Sequence, residues 1–168
     1  MTYFIWLLRI IHIGAGVFWV GSALMSFFFI GPTVGATGEA GQKFMQHLMN
    51  NRKISARISA AAGSSILAGA ILYWIDSQGL TSAWMKSGAG TGFTIGAVFA
   101  LLGFVFGILV GRTNKNMVQL GMQMRGKASP DQLSQMQSMQ KRQATFSTIS
   151  TIGLILAVVF MSIARYFV

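Results

Sequence analysis

The chain has 168 residues, of which 53% are hydrophobic and 10% charged, with a formal net charge of +10 and a mean hydropathy of +0.59. This balance excludes a disordered chain and argues against a water-soluble domain. The cations fall between long apolar runs, so they mark membrane topology and lipid headgroups, with no soluble basic face for nucleic acid. There is no cysteine, which excludes disulfides, thiolate zinc, Cys-held iron–sulfur clusters and thioether-linked haem. Any cofactor must be held by His, Met, Lys, Tyr or carboxylate.

A membrane-spanning helix needs about 20 apolar residues. In chain order, segments of that kind run from about Tyr3 to Ile30, closed by Gly31-Pro32, then Ala56 to Ile75, Gly92 to Gly111 and Phe146 to Val168. The first has no basic residues before it and is too long for a signal-peptide core, so it is expected to be retained. The expected fold is an all-α integral membrane four-helix bundle forming a single domain, 1–168, a multi-pass protein of the bacterial inner membrane. Lys43, Arg52, Lys53 and Arg57 crowd the first connection, and Arg112, Lys115, Arg125, Lys127, Lys141 and Arg142 the third, whereas the second holds only Lys86. The bias puts the first and third connections in the cytoplasm and both termini outside. Tyr3, Trp6, Tyr73, Trp74, Trp84 and Tyr166 then fall at the outer interface, where such rings anchor.

Between the spans, Phe44, Met45, Leu48 and Met49 give an amphipathic stretch. Residues 112–145 read as a cytoplasmic helical hairpin turning near Gly126. Met117, Leu120 and Met124 recur at helical spacing on one arm, and Leu133, Met136 and Met139 on the other. Ser129-Pro130-Asp131-Gln132 has Ser as N-cap, Pro at N1 and Gln at N3, a helix start. Gly92/Gly96 and Gly103/Gly107 in the third span, and Ala56, Ala60, Ser64 and Ala68 in the second, form small-residue stripes. Such stripes let backbones approach, either within one bundle or across a homo-oligomer interface.

Carboxylates are confined to Glu39, Asp76 and Asp131, in connections or at a span end, so carboxylate-driven ion transport lacks its usual residues. Gly88-Ala89-Gly90-Thr91-Gly92 lacks the Lys-Ser/Thr of a phosphate loop. Met45-Gln46-His47-Leu48-Met49 has soft donors suited to Cu(I), but residues two apart do not share a helix face. His12, inside the first span, is the ionisable residue that needs a reason. Helical spacing groups it with Gly16, Trp19 and Ala23, leaving room beside the imidazole. A neighbouring helix could fill that room while His12 bonds a Ser or Thr, the ring could relay protons, or Nε2 could hold a haem iron. In the haem reading, Arg9 one turn outward and Arg165 near the end of the fourth span would pair with propionates. Snorkelling at the interface, with Asp76 as a partner, also accounts for these two arginines. A second axial ligand would come from Met25, Met161, a Lys or His12 of a second copy, unless the iron is five-coordinate.

The run Leu7-Leu8-Arg9-Ile10-Ile11-His12, followed by Phe18-Trp19-Val20-Gly21, resembles the first helix of small bacterial CopD-like and HemJ-like membrane proteins. The HemJ-like resemblance implies a haem b-binding oxidoreductase of the protoporphyrinogen oxidase kind, with His12 as haem ligand. Trp84-Met85-Lys86 is similar, at a different spacing, to a Trp-x-x-Lys region of that family, which implies a functional role for Lys86. The CopD-like resemblance implies copper handling. The expected function is a haem b-binding membrane protein with an electron-transfer or haem-pathway role, and an accessory subunit of a membrane complex is the non-catalytic alternative. The expected partners are the lipid bilayer and further copies of the chain or other subunits.

Overall fold

The computed structural model describes residues 2–124 and 128–167, so the expected turn at Gly126, with Arg125 and Lys127, lies outside the described residues. Helix α1, Thr2–Met25, passes through a π turn, Ser26–Ile30, into α2, Gly31–Ala36. Amphipathic α3, Glu39–Asn50, precedes α4, Ile54–Asp76. A 3₁₀ turn, Ala83–Lys86, leads to α5, Gly88–Gln123, then α6, Pro130–Ile163, and a last 3₁₀ turn, Ala164–Tyr166. No strand occurs among the described residues. Four helical stretches, Thr2–Ala36, Ile54–Asp76, Gly88–Gln123 and Pro130–Tyr166, are long and apolar enough to cross a membrane.

The first stretch does not stop at Gly31-Pro32. Proline has no N–H and its ring crowds the carbonyl four residues back. Widening one turn solves this: the Gly31 N–H bonds the Ser26 carbonyl five residues back, and the helix continues through Pro32 to Ala36. An apolar groove of about 370 Å³ lies beside this turn, lined by Val17, Phe18, Met25, Ile30 and Ile54 among others. The helix start at Ser129 forms as expected, with the Ser129 hydroxyl accepting from the Gln132 N–H and the Gln132 side chain accepting from the Ser129 N–H.

The long helices associate as two antiparallel pairs, α1 with α4 and α5 with α6. The glycines of α5 make the second pair. A Cβ on Gly92 would lie 2.8 Å from the Ala164 Cα, on Gly96 2.7 Å from the Met161 Cγ, and on Gly103 2.8 Å from Leu154. Gly153 answers from α6, where a Cβ would lie 3.1 Å from the Phe99 carbonyl. Much of the stripe is therefore filled within the chain, by α6. In α4 the packed residues are Ala62, Ser65 and Ala68, whereas Ala56, Ala60 and Ser64 are exposed. The pairs meet around Trp19, Ala62 and Leu154, with Phe104 set edge-on to Trp19 at 6.0 Å. Near the termini the Thr94 hydroxyl gives its proton to the Gly90 carbonyl, so the Tyr73 hydroxyl is the donor in the 2.6 Å bond joining α4 to α5.

The α5–α6 pairing continues past the apolar stretches, where Leu120 is buried and Met117, Met124, Met136 and Met139 are half-buried. At 36 residues, α5 is about 54 Å long, well beyond a hydrocarbon core of about 30 Å. Glu39 and Lys43 form an exposed ion pair one turn apart at the start of α3, which lowers the Glu39 carboxyl from its ordinary range and raises the Lys43 ammonium.

Candidate functional site

Leu8, His12, Ala15, Gly16, Trp19 and Ala23 lie on the covered side of α1, and of these Leu8 and Trp19 are buried. His12 is on that side yet only half-buried. Its Nδ1 lies 2.8 Å from the Ser65 carbonyl and 3.3 Å from the Ser65 hydroxyl, and that hydroxyl donates at 2.9 Å to the carbonyl of His12 itself. A carbonyl only accepts, and the Ser65 proton is already given away, so Nδ1 must carry the hydrogen. When the ring is neutral, its lone pair is then on Nε2. Among the described residues Nε2 has no hydrogen-bond partner, and it is not enclosed.

The Nδ1–Cε1 side of the ring lies against α4. A Cβ on Gly69 would fall 2.7 Å from Cε1 and 2.8 Å from Nδ1. Gly69 and Ser65 are one turn apart on α4, so one face of that helix supplies both the acceptor and the clearance. Neither residue was marked by the sequence, because nothing in a local pattern ties position 12 to positions 65 and 69. Of the uses expected for the room at Gly16, the structure shows a neighbouring helix filling it while His12 bonds a serine. The missing side chain of Gly16 admits the Ser65 hydroxyl, which a Cβ there would meet at 3.1 Å. The room expected on the Gly16 side of the imidazole is thus taken by α4, and Ala23 packs into the core.

No family model, no curated protein and no solved structure matches this chain.

The remaining candidates are dispersed. Trp19 is a core residue against Phe104. Arg9, Lys86 and Arg165 are exposed, and none makes an ion pair among the described residues, with Asp76 or otherwise. The Arg165 guanidinium lies over the Tyr166 ring, 5.8 Å from its centre. Met25 stands thirteen residues from His12 on the same helix, about 20 Å away along its axis. Met161 packs on Gly96 in the other pair. His47 is exposed on α3, beyond the far end of α4. Met45 and Met49 are half-buried, and the Met49 sulfur accepts from the Ser55 hydroxyl at 3.2 Å, so this trio does not converge.

What the His12 constellation offers chemically is a single imidazole with one nitrogen fixed and the other free. Histidines that hold metals use that arrangement: the far ring N–H goes to a carbonyl, which sets the tautomer and raises the basicity of the ligating nitrogen. The donor set fits one axial position of a haem. It provides no second ligand alongside.

Proposed function

We propose that the protein is a multi-pass haem b-binding protein of the bacterial inner membrane, related to the HemJ-like group, with an electron-transfer or haem-pathway role and with His12 Nε2 as the iron ligand. The observation that carries this reading is the Nδ1–H bond from His12 to the Ser65 carbonyl, which leaves a free lone pair on Nε2. Bound there, haem would supply one-electron chemistry, tuned by its axial ligand and surroundings. The chain's own part is to orient the ring: Ser65 fixes the proton on Nδ1, and Gly69 lets the imidazole lie close to α4. Met25 and His47 are too distant to hold the group together with His12, so any second ligand would come from another copy. The charge bias supports cytoplasmic α3 and α5–α6 ends, with both termini outside. Arg9 and Arg165 then sit at the outer rim, suited to propionates.

Absorption spectra of protein purified from haem-supplied cells test this reading. A Soret band is expected, with loss or a clear shift of it in His12→Ala. A colourless wild type, or an unchanged band in His12→Ala, overturns the assignment. A second reading, a non-catalytic membrane subunit, is favoured by the mutual His12–Ser65 bonds, which pin α1 to α4 without any cofactor. Colourless protein recovered in fixed ratio with other subunits would establish it.

A further inference from the structure

A groove of about 310 Å³ opens between α4 and α5 at the end away from the termini. Lys53 reaches it from the start of α4 and Lys115 from α5, with Asn50, Ser55 and Gln119 as polar neighbours. No carboxylate lines it. The chain has three acidic residues. Glu39 is already paired with Lys43, Asp76 ends α4 at the opposite end, and Asp131 begins α6. Two lysines from two helices therefore line one groove with no carboxylate among its lining residues.

The rest of the lining is apolar, from Met49, Val118 and Met122, and the groove reaches Gly111, where the apolar run of α5 ends. A Cβ on Gly111 would meet nothing within 4 Å, so the floor is open. Cations above an apolar wall at the edge of a membrane-spanning stretch suit an amphiphile: a phosphate between the lysines and acyl chains along the wall. A free phosphate has no use for that wall.

We propose that this groove binds the phosphate headgroup of an anionic phospholipid. The inference rests on membrane embedding and is independent of haem.

Native mass spectrometry of detergent-purified protein, supplied with phosphatidylglycerol or phosphatidylcholine, reads it directly. Phosphatidylglycerol should be retained about 30-fold better, as expected for two lysines at a headgroup. The double variant Lys53→Gln/Lys115→Gln should lose that preference. Lys141→Gln/Arg142→Gln, which removes the same charge from exposed positions of α6, should keep it. His12→Ala should also keep it, which separates this site from the haem assignment. Equal retention of the two lipids, equal loss in both charge variants, or full displacement by inorganic phosphate would each overturn the proposal.

Discussion

At the residue scale, the identity of position 69 matters as much as that of position 12. A methyl group on Gly69 would overlap Cε1 and Nδ1 of the imidazole, so the ring must move or the helices must part. Gly69→Ala is expected to cost about 1–3 kcal/mol, the usual range for overpacking. It should lower the thermal midpoint in detergent and shift any haem spectrum, whereas Gly63→Ala, facing open space on the same helix, should do neither. Equal effects of the two would show that His12 does not lie on Gly69. The ring itself was legible in the sequence, because an ionisable group in an apolar run stands out. Its partners were not, since a serine and a glycine in a helix rich in small residues carry no mark of which neighbour they serve. Gly16 illustrates the same limit: helical spacing put it beside His12, but only packing shows that Ser65 occupies the space.

At the element scale, the α5 glycines decide how α6 docks. Gly103 is buried, and an added side chain would collide with Leu154, one of the most enclosed side chains. Gly103→Ile should therefore disrupt the fold itself, giving aggregated protein or a broad early melt. Gly121→Ile, with nothing within 4 Å of its added Cβ, should stay close to wild type. A folded monomer in place of an oligomer would instead assign the Gly103 face to contacts between copies. Local signals did well at this level. The Ser129–Gln132 capping box and the small-residue spacing of α5 could be read because they depend on a few adjacent residues. The π turn could not, because Gly31-Pro32 is compatible with either a stop or a widened turn, and the surrounding helix selects between them.

For the whole molecule, orientation is the property on which the other readings depend. The chain has no cysteine, so single cysteines report cleanly. Lys86→Cys should react with an impermeant maleimide in intact cells or right-side-out vesicles, and Lys141→Cys only after permeabilisation. The reverse pattern would invert the bundle and move His12 to the cytoplasmic half. Four apolar helices followed from hydropathy, but the pairing of α1 with α4 did not, because apolar surfaces facing lipid and facing protein look alike in composition. That pairing sets an order of events. His12 and Ser65 are separated by 53 positions, so at about 5–20 residues per second His12 is made roughly 3 to 10 s before its acceptor. During that interval the imidazole has neither its fixed tautomer nor its resting surface. The His12 constellation is therefore complete only after α4 has joined α1, so no ligand that needs this tautomer can be held before residue 76 has been made.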